Sequence, residues 1–504
     1  MAARVYSAAV IGIHAQSVEV EVDVLPQGLH NFTLVGLPDQ AIKESRERVS
    51  AALKNSSFRP PHQQGRITVN LAPADLPKNS PIYDVPIALG ILLTTGQLTF
   101  LPQGKLFVGE LALDGAVRKV SGALAIAVFA KEAGYSELYI PIDNQEELAL
   151  IDGLTIIPVA SLLELVRHLQ GVQSIVPYVA PVLLDEVREY RFDMSHVRGQ
   201  EQAKRALEVA AAGGHNILFV GPPGSGKTLL AKTLPSILPS LEFAERLEVM
   251  KIFSVAGKLP KNALTMERPF RSPHHSASAI SLVGGGSYPR PGEISLAHRG
   301  VLFLDEFAEF PRNVLESLRQ PLEDGIVTVS RVKGALEFPA RFMLVAAMNP
   351  CPCGFAGDSE RVCACSPFQA ERYRQKVSGP LLDRIDLHIE VPRQRIEKLV
   401  EHHSGETSQE IQARVQKART LQRERFVEQG IHMNSEMSSE QVRHFCEIAP
   451  PGQEMLRLAV DRLHLSARGY MRILKVARTI ADLEGSDTIE SLHLGEALQY
   501  RFND

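Results

Sequence analysis

The chain has no tryptophan, only five cysteines in 504 residues and no strong excess of either charge. Four of the cysteines fall between positions 351 and 365. That distribution argues against a disulfide framework and fits a reducing compartment. A net charge of −4 excludes a generally basic surface, so any nucleic-acid contact has to be local. No apolar run approaches the roughly 18 residues of a membrane span, and the first residues lack a basic segment followed by an apolar core. A cytoplasmic location with no membrane partner is therefore expected. What is present is an ordinary globular composition, 44% hydrophobic and 22% charged. The length exceeds what one core supports, so about two to four domains are expected.

The clearest chemistry lies at Gly221-Pro222-Pro223-Gly224-Ser225-Gly226-Lys227-Thr228. An apolar run, Ile217 to Val220, precedes it and a helix-like segment follows, which is the strand–turn–helix setting of a phosphate-binding P-loop. Glycines let the backbone N–H groups turn inward onto phosphate at a helix N-terminus. Lys227 would reach the β- and γ-phosphates and Thr228 would ligate Mg²⁺. About 80 residues on, the apolar Val301-Leu302-Phe303-Leu304 ends in Asp305-Glu306, the Walker B pattern. Asp305 would position Mg²⁺ and Glu306 would orient and polarise the attacking water. The strand Phe342 to Met348 ends at Asn349, placed to hydrogen-bond the γ-phosphate or that water. ATP and Mg²⁺ are the expected cofactors, and hydrolysis the expected outcome.

The remaining text divides around this core. Residues 1–170 read as an α/β module in which Val18, Val20, Val22 and Val24 alternate with acidic residues, the period of a half-buried strand. Two stretches, Pro77-Lys78-Asn79-Ser80-Pro81-Ile82-Tyr83-Asp84 and Gly109 to Leu124, resemble the proteolytic domain of Lon, a fold of the ribosomal S5 domain 2 type. The resemblance places Ile82 at the serine position and Leu124 at the lysine position, with Lys78 and Ser80 close by. It implies the fold without the dyad, since a serine needs its base to become nucleophilic. Residues 171–192 read as a linker broken by Gly171, Pro177 and Pro181. Residues 193–395 carry the ATPase core and residues 396–504 a helical lid.

Within the core, Phe270 to Ser276 includes the pair His274-His275. A polar loop is the better reading there than a metal site, which needs three or four converging ligands. With Gly284-Gly285-Gly286 behind it, the segment reads as a mobile insertion that contacts substrate. Asn313 to Asp324 reads as one helix. Val327 to Phe338 alternates around a Lys-Gly turn and reads as a β-hairpin with a basic tip, Arg331 and Lys333. Cys351, Cys353, Cys363 and Cys365 form two C-x-C pairs. They would enclose a tetrahedral Zn²⁺ or remain free thiols, the pairs being tighter than usual zinc spacing.

The order of these motifs resembles the helicase and Mg-chelatase branch of the AAA+ ATPases. Gly379-Pro380-Leu381-Leu382-Asp383-Arg384-Ile385-Asp386-Leu387 resembles an MCM motif whose arginine reaches the neighbouring subunit's ATP, which implies Arg384 as an arginine finger. Ser466 to Arg472 resembles the start of the sensor 2 helix, implying Arg468, with Arg472 as the alternative. The hairpin position implies a pore loop with Lys333 near its tip, where Arg331 and Lys333 would grip phosphates without reading bases. A Lon-like front, an AAA+ core with hairpin insert, the Cys pairs and a helical lid together resemble the YifB/ComM family, Mg-chelatase-like AAA+ proteins. For that family the resemblance implies a homo-hexameric ring that hydrolyses ATP and promotes branch migration of single-stranded or branched DNA during natural transformation. The alternatives are a Mg-chelatase-type motor subunit and a protein-remodelling ATPase.

Overall fold

The three valines Val18, Val20 and Val22 are wholly buried while Glu19, Glu21 and Asp23 reach solvent, on the strand His14–Leu25. In the computed structural model the described residues are 2–26, 31–36, 40–76, 78, 80–180, 190–260, 266–286, 289–331, 334–358, 360–394, 405–462 and 465–501. Among them, His14–Leu25 belongs to a seven-stranded mixed sheet. It pairs antiparallel with Ala3–Ile11 and Arg66–Ala72, while Lys105–Phe107, Glu137–Pro141 and Thr155–Val159 extend the far side in parallel. Helix Asp84–Thr94, nearly all apolar, is buried on this sheet. Gly90 allows the approach, since a Cβ there would come 2.4 Å from Cγ2 of Val22.

The two positions aligned with a Lon dyad are core residues: Ile82 is 2% and Leu124 0% exposed. Lys78 is also buried and donates to the carbonyl of Pro73. Leu124 is the second residue of the helix Ala123–Glu132, which docks on the helix Phe243–Val255. Gly122 N donates to Ser254 O at 3.0 Å, and Ser254 Oγ donates to Glu147 Oε2 at 2.7 Å. Burial pushes the Glu147 carboxyl up from its ordinary pKa.

The second sheet is parallel throughout, in the order Phe270–Arg271, Val301–Leu304, Met343–Met348, Ile217–Val220, Leu387–Glu390. Its central strands are apolar on both faces because helices cover both: Val301–Leu304 and Met343–Met348 are buried residue by residue. The hairpin pairs Ile326–Arg331 with Gly334–Pro339, closing at Arg331↔Gly334, with Val327, Val329 and Phe338 buried at its base. Lys333 lies outside the described residues, as do the side chain of Arg331 and residues 181–189 of the expected linker. The stretch expected as one helix from Asn313 to Asp324 is instead two, Arg312–Glu316 and Arg319–Asp324. Pro321 has no N–H for the carbonyl of Ser317, and the turn breaks there. After residue 404 the chain is helical, Ser408–Phe426 and Ala467–Glu484 packing on Glu201–Gly213. No described helix is long and apolar enough to cross a membrane.

Candidate functional site

Because the strands are parallel, everything that follows their C-terminal ends gathers at one edge of the sheet. Gly221 follows Val220, Asp305 follows Leu304 and Asn349 follows Met348. Gly221 has to be glycine, since a Cβ would lie 2.1 Å from the carbonyl oxygen of Val391. Lys227, 8% exposed, donates to the carbonyls of Gly221 at 2.7 Å and Pro222 at 2.8 Å, with Asn349 Oδ1 at 3.4 Å. Thr228 Oγ1 donates to Asp305 Oδ2 at 2.8 Å, so a hydroxyl and a carboxylate, both hard oxygen ligands, meet where Mg²⁺ would be held. Gln200 ties the loop down from outside, donating to the carbonyls of Ser225 at 3.3 Å and Pro392 at 2.7 Å.

Burial lowers the pKa of Lys227 to about 8 from 10.5, with Asp305 pulling the other way. An ammonium so desolvated gains strongly from an arriving anion, and phosphate is the chemistry that supplies one. In the unliganded protein, the folded state has lost a proton that the unfolded state keeps between about pH 8 and 10.5. Unfolding then takes up protons, so stability rises with pH across that window. Lys227→Met is accordingly expected to be more stable than the parent near neutral pH, with the gap closing as pH climbs through the window. Urea denaturation at stepped pH reads this directly.

Glu306 sits in the left-handed region at φ +54, a conformation that costs a non-glycine residue on the order of 1 kcal/mol and clusters at functional sites. Its N–H donates to Asp305 Oδ1 at 2.9 Å, and its Oε2 lies 2.8 Å from Nδ1 of His275.

The opposite edge, where the strands begin, holds a cavity of about 670 Å³ whose lining includes Arg268, Arg299, Arg341, Arg384, Arg468 and Arg472. Arg384, 8% exposed, donates to Glu323 and, at 2.7 Å, to the carbonyl of Pro380, while its buried Nε has no hydrogen-bond partner among the described residues. Arg468 approaches the same Glu323 at 3.5 Å and stays 63% exposed. Arg472 is engaged elsewhere, 3.6 Å from Asp386. Against the burial that would raise it, His215, Arg472 and Lys475 hold the Asp386 carboxyl well below the usual carboxylate range. Asp386 also accepts the backbone N–H of Asn216 at 3.1 Å, so it fixes the start of a central strand. Arg384 and Arg468 thus stand together, a strand's length, roughly 13 Å for four residues, from their own P-loop edge.

Sequence reasoning missed Glu323, which brings the two arginines together, and did not connect His275 with Glu306. Neither contact has a local signature. Glu323 reads as one more charged helix residue, and His275 meets Glu306 only through strand pairing.

The four clustered cysteines lie just past Asn349. Cys351 is buried and Cys353, Cys363 and Cys365 are half-buried, all as free thiols. Their Sγ atoms all fall within 4.8 Å of one another, three of the separations being 3.4, 3.5 and 3.7 Å. Tetrahedral Zn–S bonds of about 2.3 Å require sulfurs about 3.8 Å apart, so the donor set fits a zinc ion. Ala356 N donates to Cys351 Sγ at 3.3 Å, and the N–H groups of Phe355 and Ala364 draw the Cys353 pKa down to about 6. The loop packs against the glycine-rich turn, since a Cβ on Gly354 would come 2.7 Å from Cδ of Pro223.

Three family models cover most of the chain. "Magnesium chelatase, subunit ChlI" matches residues 193–399, "Subunit ChlI of Mg-chelatase" residues 19–144, and "Magnesium chelatase, subunit ChlI C-terminal" residues 405–501. The chain is 45% identical to competence protein ComM of Haemophilus influenzae over 507 residues, covering 99% of this chain and 97% of that protein. It is 44% identical to YifB of Escherichia coli K12 over the same shares. With the magnesium-chelatase 38 kDa subunit of Rhodobacter capsulatus it shares 28% identity over 32% of this chain and 50% of that one. Full-length identity at this level, on a parallel-sheet core with a helical C-terminal region, settles the family: the chain belongs to the YifB/ComM family of Mg-chelatase-like AAA+ ATPases.

Proposed function

We propose that this AAA+ ATPase works as a homo-hexameric ring motor that moves single-stranded or branched DNA, promoting branch migration during recombination in natural transformation. The observation that carries the reading is the pairing of Arg384 and Arg468 on Glu323, at the sheet edge opposite the P-loop. Two arginines there serve a nucleotide held by another subunit, and successive subunits related head to tail close into a ring.

In each site Lys227 binds the β- and γ-phosphates, and Asn349 orients the γ-phosphate or the attacking water. Thr228 and Asp305 would hold Mg²⁺, which supplies charge neutralisation at the phosphates. Glu306 accepts the proton of the attacking water. The neighbour's Arg384 stabilises charge on the transferring phosphoryl group, and Arg468 joins it. DNA as cargo is supported by the name of the ComM relative, a competence protein, and by the family resemblance in the basic hairpin. The second reading, a chelatase motor subunit, draws on the 38 kDa chelatase match, but that match reaches only 32% of this chain.

ATPase rates measured with single-stranded DNA, forked DNA and unfolded protein separate these readings. DNA should raise the rate and be retained by the ring. Stimulation by unfolded protein alone, or by nothing, removes DNA as the cargo.

The Cys351, Cys353, Cys363 and Cys365 set would hold Zn²⁺ as a structural staple for the loop that packs on Pro223. Purified parent is expected to carry about one zinc per chain and Cys351→Ser to have lost it. Elemental analysis of the two proteins decides, and metal-free parent would contradict the site.

A further inference from the structure

In the N-terminal mixed sheet Ile11 pairs with His14, which leaves Gly12 and Ile13 as a two-residue turn between the first two strands. Gly12 takes φ +62, a left-handed conformation that such a turn gives to glycine. Turn residues are normally polar and lie on the surface. Ile13 does neither. It is 9% exposed and belongs to the apolar core that holds Leu302 and Leu344 of the parallel sheet together with Val327, Val329 and Phe338 of the hairpin. The turn also meets the hairpin backbone: a Cβ on Gly12 would come 3.8 Å from the carbonyl oxygen of Glu337, in the strand Gly334–Pro339. Behind the turn, Val10 packs so closely on Gly122 that a Cβ there would lie 2.9 Å from Val10 Cγ2. Gly122 N in turn donates to Ser254 O at 3.0 Å, and Met250 on that same helix, Phe243–Val255, belongs to the core of the N-terminal sheet. The turn is held from behind, with its apolar tip set into the ATPase core.

A two-stranded hairpin is marginal in water on its own, and among the described residues this one forms a sheet of two strands only. Its order therefore comes from what packs at its base. We propose that Ile13 is a positioning residue for this hairpin: the first turn of the N-terminal sheet braces the strand Gly334–Pro339, so that movement driven by ATP reaches DNA at the hairpin tip instead of bending the hairpin. This rests on the reading of the hairpin as the element that grips DNA. Gly221–Thr228, Asp305 and Asn349 take no part in the contacts of the turn, so the brace acts on DNA movement and leaves hydrolysis alone.

The test compares the full-length parent with Ile13→Ala, Ile13→Val and Lys333→Ala. Three quantities are read: ATP hydrolysis without DNA, branch migration of a DNA junction, and amide hydrogen exchange of peptides spanning 326–339. Ile13→Ala should speed exchange across 326–339 and slow branch migration by about two- to thirtyfold, the range for substitutions along a physically connected path. Its kcat and KM for ATP without DNA should match the parent. Ile13→Val, which keeps a branched apolar side chain at the tip, should return both exchange and migration to near the parent values. An Ile13→Ala protein whose exchange or migration equals the parent's overturns the proposal. Exchange raised throughout the chain, or basal hydrolysis that falls in step with migration, marks a general loss of stability and overturns it as well. If the parent moves no DNA, or Lys333→Ala moves it as fast as the parent, the reading of the hairpin as a DNA grip fails. Exchange across 326–339 in Ile13→Ala then still decides whether the turn braces the hairpin.

Discussion

Arg384→Ala is expected to lower kcat by about 10³- to 10⁵-fold, the range of an arginine that neutralises charge on a transferring phosphoryl group, while each subunit still binds ATP. The separation of the two effects follows from where the residue lies. Its guanidinium is at the strand-start edge with Glu323 and Arg468, and the P-loop is at the other. Removing it leaves the Gly221–Thr228 cradle and the Thr228–Asp305 contact intact. The fold should tolerate the change, because the abandoned partner Glu323 is 52% exposed and remains hydrated. Nucleotide titration and turnover measured on the same preparation check both halves. A loss of binding parallel to the loss of turnover would mean that Arg384 serves its own subunit's nucleotide.

Glu306→Gln should reduce turnover by about 10²- to 10⁴-fold, the usual contribution of a positioned general base, again with binding retained. The glutamine keeps the size of the side chain, but its amide cannot take a proton from water. Because the side chain is 56% exposed, the thermal midpoint should stay within a few degrees of the parent, as surface substitutions do. Single-turnover hydrolysis distinguishes this from slow product release, which would leave the first turnover fast.

What could be read from the sequence was what is local. The strand–turn–helix around Gly221 to Thr228 is set by eight consecutive residues, and the alternating valines at 18, 20 and 22 declare their buried face without help from distant contacts. The parallel core sheet also lets strand ends predict neighbours, which is why Asp305 and Asn349 could be placed beside the P-loop. Glu323 was invisible because it acts by joining Arg384, in the turn after the helix Gly379–Leu382, with Arg468 of the helix Ala467–Glu484, about 80 residues further along the chain. His275 was weighed only as a metal ligand or loop residue, since its partner is fixed by the pairing of Phe270–Arg271 with Val301–Leu304. Of the two arginines left open in the sequence, Arg472 lies 3.6 Å from Asp386 and Arg468 stays 63% exposed, a difference made by tertiary contacts that the local text does not show. The single helix expected across Asn313 to Asp324 overlooked what Pro321 does to the carbonyl of Ser317.

The central claim is that each nucleotide site is completed by a neighbouring subunit. Mixing Lys227→Ala subunits with Arg384→Ala subunits tests it most directly. Each is inactive alone, but a mixed ring contains interfaces where an intact P-loop from one faces an intact Arg384 from the other. The account predicts that ATP hydrolysis, absent from either protein, returns when the two are dissociated and reassembled together. Mixed rings that stay as inactive as their components, despite verified co-assembly, would contradict it.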